Sequence, residues 1–321
     1  MRILVTGATG FIGRAVAVRC AAEPGLEVCG TVRRHSPNAS PPAGIKAVPV
    51  DDLSDTTDWR EAVQGVDTIV HAAARVHDMR EKAADPLAEF RRVNVAGTLN
   101  LARQGVAAGV RRFIFVSSIK VNGEETFPGR PYTSTDVPAP TDPYGISKHE
   151  AEAGLMQLGE ATGLEVVIIR PVLVYGPGVK GNFRSIMRVL HRGLPLPLGA
   201  LSQNRRSLVA LDNLVDLIVT CLQHPAAAHQ TFLVSDGEDL STTALLRRTA
   251  AALGRPARLL PVPAFALHAG ARLLGKSSVA QRLCGSLQVD ITQTRERLSW
   301  APPVGTDEAL HLTARHFLEN R

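Results

Sequence analysis

Aromatic residues make up only 4% of this 321-residue chain, so its core has to be assembled from Ala, Val and Leu rather than from stacked rings. No apolar run approaches the ~20 residues that span a bilayer, which excludes stable membrane insertion from the reading. Cysteine is scarce: Cys20, Cys29, Cys221 and Cys284 have neither paired nor metal-like spacing, so reduced thiols in a cytoplasm are expected and no metal site. The net charge of +6 invites a nucleic-acid reading, yet Lys and Arg are scattered and no run of them alternates with aromatics. A positive site for an anionic small molecule accounts for the excess instead.

What is present begins at once. Arg2 to Thr6 read as a short apolar strand, leaving no room for a leader. Gly7, Gly10 and Gly13 follow at three-residue spacing, and Phe11 to Ala22 read as a helix. A strand that turns into a helix through glycines lets backbone N–H groups approach a pyrophosphate. Glycines at this spacing also occur in turns that bind nothing, but strand before and helix after is the context of a dinucleotide site.

Further strands are expected at Leu26–Val32, Ile45–Val50, Val66–Ala72, Arg112–Ser117 and Leu164–Arg170, with helices at about 86–108 and 143–162. Apolar runs alternating with amphipathic segments predict an α/β fold, a doubly wound parallel sheet of Rossmann type. After Pro171 proline and glycine thicken and the rhythm shortens. Residues 1–170 are read as the dinucleotide domain. Residues 171–321 are read as mainly a smaller substrate-binding lobe, part of which returns to the main sheet near 207–211 or 231–234. Helices are expected there at about 183–192, 211–223, 242–253 and 263–274, the last as core or a partner surface, core being favoured.

Tyr144 and Lys148, four apart, share a helical face. An ammonium near a phenol stabilises tyrosinate, which suits Tyr144 to acid–base work. By itself such a pair is equally an exposed helix pair. Ser117-Ser118 closes the fifth strand at its carboxyl end, where ligands of parallel sheets collect. Ser118 can hold a carbonyl or alcohol oxygen there, and either serine can instead cap the next turn.

Taken together, Thr6-Gly-Ala-Thr-Gly-Phe-Ile-Gly13, Asp52-Leu53, His71-Ala-Ala-Ala74, Asn94-Val-Ala-Gly-Thr98, Val116-Ser-Ser118, Tyr144-Gly-Ile-Ser-Lys148 and Arg170-Pro-Val-Leu-Val-Tyr-Gly-Pro177 resemble the extended short-chain dehydrogenase/reductases, the NAD-dependent epimerase/dehydratase group. The resemblance covers nearly the whole chain. It implies hydride-transfer chemistry at a sugar carbon, with Ser118, Tyr144 and Lys148 as the catalytic set. It implies cofactor contacts from Gly7, Gly10, Phe11, Ile12, Gly13, Asp52, Leu53, Ala72, Ala73, Ala74, Tyr144, Lys148, Pro171 and Val172. Asn94 is implied as a cofactor-side residue that supports the active-site geometry. It also implies a homodimer through the helices at about 86–108 and 143–162.

Val32 stands where many NAD-preferring relatives carry an acidic residue, and Arg33-Arg34 follow. Arg33 can pair with a 2′-phosphate, so NADP(H) is favoured with NAD(H) also usable, although a solvated basic turn has the same text. Ile119 and Lys120 occupy the places of the dehydratases' Asp-Glu pair, which disfavours loss of water. Asn182 and Arg206 resemble the segments that meet a nucleotide-sugar diphosphate, alongside Ser118 and Tyr144 on the sugar, and Arg206 could alternatively sit in a structural salt bridge. Leu173 replaces a familiar polar contact, and His77 is read as a loop histidine that could face the sugar. Val116–Glu124 and Ser235–Ser241 resemble a bacterial O-antigen branch, which implies NAD(P)H-dependent reduction of C4 in a UDP-4-keto-6-deoxy-N-acetylhexosamine. A UDP-sugar 4-epimerase with tightly held NAD is the second reading. A non-catalytic NAD(P) sensor is the third.

Overall fold

Strands buried on both faces organise the computed structural model, which describes residues 1–34, 40–76, 85–127, 129–273, 275 and 277–320. They are β1 (Arg2–Thr6), β2 (Glu27–Arg33), β3 (Lys46–Val50), β4 (Thr68–His71), β5 (Arg112–Val116), β6 (Glu165–Pro171), β7 (Leu173–Tyr175), β8 (Arg206–Ala210), β9 (Gln230–Val234) and β10 (Asp239–Leu240). Every residue of β4 and β5 is buried, as in a sheet covered by helices on both sides. Seven of the described strands form a parallel sheet in the order β3-β2-β1-β4-β5-β6-β9. The order reverses between β1 and β4, and a ligand crevice opens outside the carboxyl ends of strands at such a point.

Two apolar layers hold the sheet. Helices Phe11–Ala21 and Leu211–Gln223 pack against each other over one face, with Val16, Leu214 and Ile218 sealed beneath. Helices Thr98–Ala107 and Pro143–Thr162 cover the other, over Leu101, Leu155 and Phe113. Each Val, Leu or Phe sealed in this way contributes about 1.5–3 kcal/mol. A third core unites Tyr175, Leu208, Met187, Leu246 and Leu310 under helices Gly181–His191, Thr242–Ala252 and Thr306–Glu319. It carries a small sheet in the order β10-β8-β7. Thus β9 joins the main sheet from beyond Pro171, whereas β8 belongs to the small one.

Two expectations change. The helix expected across 86–108 is α-helical at Pro86–Phe90 and Thr98–Ala107 but π-helical between, at Arg91–Gly97. The wider turn swings the Asn94 amide inward, where it is buried and fully bonded, and such turns are common at functional sites. The helix expected as core at 263–274 forms as Ala264–Leu273 but contains no buried residue; Leu274 lies outside the described residues. A period of apolar residues shows which side chains share a face and not whether anything covers it.

Candidate active site

The glycine turn is shaped by close approach. Gly7 sits at φ +68°, and a Cβ there would lie 2.9 Å from the Ala73 nitrogen, at the end of β4. A Cβ on Gly13 would strike the Gly7 carbonyl. Helix Phe11–Ala21 therefore starts hard against the strand, with Gly10 as an N-cap that offers no side chain and no acidic residue in its first turn. Its N–H groups are left for an anion. Beside it a cavity of about 450 Å³ is lined by Gly7, Gly10, Arg33, Asp52, Leu53, Ala72, Ala73 and Ala74. These residues fit a dinucleotide: a cradle that any Cβ would fill, small alanines at the β4 end, and charged groups at the far end. Phe11, Ile12 and Gly13 form the first turn behind the cradle. At the end of β2 Arg33 is exposed and faces Asp52 at 3.9 Å.

Under the cradle, β1 and β4 are pegged by polar side chains. The His71 ring meets Thr6 Oγ1 at 2.7 Å and Thr98 Oγ1 at 3.0 Å, and Thr6 Oγ1 accepts from the Ala73 N–H. Burial lowers the His71 pKa to about 3, helped by the Lys148 charge, so the ring is a neutral strut.

Tyr144 and Lys148 stand in the first two turns of helix Pro143–Thr162. Asp142 caps it by accepting from the Gly145 N–H at 2.7 Å, and Pro143 occupies the first helical position. Ser118 caps the short 3₁₀ turn Ile119–Val121 after β5, accepting from the Lys120 N–H at 3.3 Å. The two turns are drawn together in two ways. The Lys120 ammonium pairs with Asp142 and, at 3.0 Å, with Glu124. A Cβ at Gly145 would lie 2.8 Å from the Lys120 carbonyl, so glycine permits the contact. The structure thereby joins the Ser118 turn to the Tyr144 turn, and the null alternative of an exposed Tyr–Lys pair is removed by the burial of Lys148.

Lys148 is buried within reach of the Tyr144 ring while its ammonium is bonded at the strand end. Lys148 Nζ donates to the Val116 carbonyl at 2.8 Å and lies 4.3 Å from the Phe115 ring centroid, against 5.9 Å for the Tyr144 ring. Burial lowers Lys148 to about 7 against the pull of Glu152. Burial, with Asp142 adding to it, pushes the Tyr144 phenol up rather than down. The ammonium is held at the strand end, and the desolvation of the phenol outweighs it.

The Asn94 amide braces the site, as the resemblance implied for its supporting role. Its Oδ1 accepts from the Arg75 N–H at 2.8 Å, and its Nδ2 donates to the Arg75 carbonyl and to Ser147 Oγ, both at 3.0 Å. Both of its N–H groups and its oxygen thus take part in fixing the β4 exit against the Tyr144 helix. Pro171 and Val172 are buried at the end of β6. Asn182 is exposed in the first turn of helix Gly181–His191. Arg206 Nη1 donates to the carbonyls of Arg282 at 2.8 Å and Gly285 at 3.2 Å, and among the described residues it faces no carboxylate at ion-pair distance. His77 lies outside the described residues.

A buried pair escaped the sequence reading. Arg170, at the end of β6, donates through Nε and Nη2 to Glu152 at 3.0 and 2.5 Å, and through Nη1 to Asn122 Oδ1 at 2.9 Å. Ser117 Oγ also donates to Glu152, so Ser117 is a buried structural donor while Ser118 is half-buried and caps the next turn. The signal was available: Glu152 is one helical turn beyond Lys148, on the same face.

Comparison with known proteins agrees with this frame. The model of the NAD dependent epimerase/dehydratase family matches residues 3–235. The chain is 48% identical over 317 residues to a UDP-glucose 4-epimerase of Vibrio cholerae, covering 99% of this chain and 95% of that protein. It is 31% identical to a UDP-glucose 4-epimerase of Mycolicibacterium smegmatis, with 99% and 98% covered. A UDP-glucose 4-epimerase from Thermotoga maritima, solved with UDP-glucose, has the same fold, with a TM-score of 0.77 at 22% identity over 100% of this chain and 99% of that one. The end-to-end identity to an epimerase overturns the expectation of a 4-keto reductase. The branch segments Val116–Glu124 and Ser235–Ser241 that suggested a reductase are short, the first contains Ser118 itself, and the Ser-Tyr-Lys set serves both reactions.

Proposed function

The chain belongs to the NAD dependent epimerase/dehydratase family, and from its site we propose that this enzyme is a UDP-sugar 4-epimerase working with tightly held NAD. The single observation that carries the reading is the 48% identity to an epimerase along almost the full length of both chains. The site is consistent with it. The Ser118 turn and the Tyr144–Lys148 helix start are tied together through Lys120 and Asp142, and no carboxylate directly follows Ser118 to expel a hydroxyl.

When bound, NAD supplies a two-electron acceptor and donor at C4, so no net oxidation results. The residues do the rest. Tyr144 accepts the proton of the C4 hydroxyl and returns it to the oxygen after the sugar has presented its other face. Ser118 hydrogen-bonds the same oxygen and fixes its distance from the phenol. Lys148, anchored on the Val116 carbonyl, supplies positive charge beneath a developing tyrosinate. Gly7, Gly10 and Gly13 hold the pyrophosphate, with Asp52 and Leu53 at the adenine and Ala72 to Ala74 along the dinucleotide. Arg206 and Asn182 meet the sugar-nucleotide diphosphate.

Arg33 at the adenosine end lets the site take NADP as well as NAD, because its guanidinium can exchange the long contact to Asp52 for a 2′-phosphate. Two copies pair through the helices of residues 86–107 and 143–162, which lie side by side with Gly154 against Leu99. A cytoplasmic setting agrees with four free cysteines.

The test is to incubate the purified protein with UDP-glucose or UDP-N-acetylglucosamine and follow the C4 epimers by NMR. Interconversion without change in nicotinamide absorbance, lost in Tyr144→Phe, is the expected result. Stoichiometric consumption of NADH or NADPH without interconversion would overturn the reading.

A further inference from the structure

The fifty residues from Leu240 to Val289 contain no Asp or Glu, and they contain Arg247, Arg248, Arg255, Arg258, Arg272, Lys276 and Arg282. Within this stretch lies the helix Ala264–Leu273, whose inner side rests on the small lobe through Leu267 and whose outer side is open. Phe265, Ala269 and Leu273 recur every fourth residue along that outer side, so they form one apolar line. Phe265 is 77% exposed and Leu273 88%. His268 and Arg272, also exposed, run beside the line. Leu260 and Val279, on the segments before and after the helix, are each about half exposed.

We propose that this face is a peripheral membrane-docking surface, on which Phe265 and Leu273 enter the acyl boundary of a bilayer while the surrounding cations meet anionic headgroups. An apolar line with a basic border and no acidic residue is the composition of a helix that lies in the plane of an interface. Charge decides between occupants. A second copy of this chain is a poorer fit, because the same acid-free stretch would face itself and offer Arg272 no carboxylate of its own to pair with. An anionic lipid surface satisfies both the apolar line and its border. No described helix is long and apolar enough to cross a membrane, so the contact is one of docking and not of insertion.

The surface adjoins the substrate end of the cleft. The helix Ser277–Cys284 packs on Ala264–Leu273 and supplies, at Arg282, a carbonyl to which Arg206 donates. Docking would hold that end of the cleft close to the bilayer. The proposal stands apart from the epimerase reading, since it concerns binding and needs no turnover.

The test is flotation of the full-length protein with vesicles of phosphatidylcholine, with and without phosphatidylglycerol. The protein is expected to float with the anionic vesicles only and to be released as salt is raised. The Phe265→Glu/Leu273→Glu double variant is expected to lose about tenfold in bound fraction, with unchanged melting temperature and unchanged turnover of soluble substrate. Arg272→Glu should weaken binding and its salt dependence together. Failure of the wild-type protein to float with anionic vesicles at low salt overturns the proposal, as does equal flotation of the double variant. A dimer in light scattering that the double variant converts to monomer would assign the face to a second copy and overturn it too.

Discussion

Glu152 and Arg170 form a two-pronged ion pair in the floor of the site, with their side chains 4% and 6% exposed. The same carboxylate accepts from Ser117, and the same guanidinium donates to Asn122, so the exits of β5 and β6 and the Tyr144 helix converge on one pair. Removing one partner leaves a buried charge alone, which costs about 3–5 kcal/mol. Glu152→Gln should therefore lower the unfolding free energy obtained from urea denaturation by that amount, and Glu152→Leu with Arg170→Met should recover much of the loss. A single-variant loss below ~1 kcal/mol would show that the pair carries little of the stability.

Lys120 stands between the Ser118 turn and the Asp142 cap. With Lys120→Met, the Asp142 carboxylate beside Tyr144 loses its nearest cation and opposes tyrosinate more strongly. Turnover at neutral pH should fall by about three- to tenfold, and the acid limb of the kcat profile should move to higher pH. Lys120→Arg should restore most of both. A fall in kcat with an unmoved profile would mean that Lys120 only supports the fold.

Lys148 makes stability depend on pH in a definite direction. Burial lowers its pKa from 10.5 to about 7, so between those values the unfolded chain binds a proton that the folded chain has released. Stability contributed by this group therefore rises with pH from about 7 towards 10.5, and the burial penalty is felt in full below about 7. Above pH 10 the raised Tyr144 pKa acts the other way, since the unfolded phenol loses its proton first. Denaturation midpoints measured from pH 7 to 10 should climb in the wild-type protein and climb less in Lys148→Met. An identical slope in the two proteins would remove Lys148 from the account.

Binding tests the proposed NADP contact of Arg33. Its replacement by Ala should weaken NADP by about tenfold and leave NAD within about twofold, as read by tryptophan quenching or calorimetry. Asp52→Asn, which frees Arg33 from its long ion pair, should favour NADP instead. If the NADP/NAD affinity ratio is the same in Arg33→Ala and the wild-type protein, the guanidinium is a solvated surface group.

The chain order of short apolar strands and longer helices was enough to determine the doubly wound sheet, because a strand that must be covered on both faces reads as a continuous apolar run. The glycine turn was legible for a similar local reason. Gly7 and Gly13 are demanded by backbone contacts a few residues away in sequence or at the neighbouring strand end. That Lys148 lies on the same helical face as Glu152, and Ser118 at the end of a buried strand, was legible too, since spacing along strand end and helix start is itself sequence.

Tertiary structure decided what depends on partners far along the chain. It anchored the Lys148 ammonium on the Val116 carbonyl, and it engaged Asn94 with Arg75 and Ser147 through a π-helical turn that no period announces. It paired Glu152 with Arg170 and left the apolar helix Ala264–Leu273 uncovered where core was expected. The sequence determines which faces are apolar and which local turns are possible, because those are properties of neighbouring residues. Which buried charge finds which partner, and which apolar face stays open to bind something else, is decided only when distant segments meet, because desolvation and Coulomb energy depend on the three-dimensional surroundings of each group.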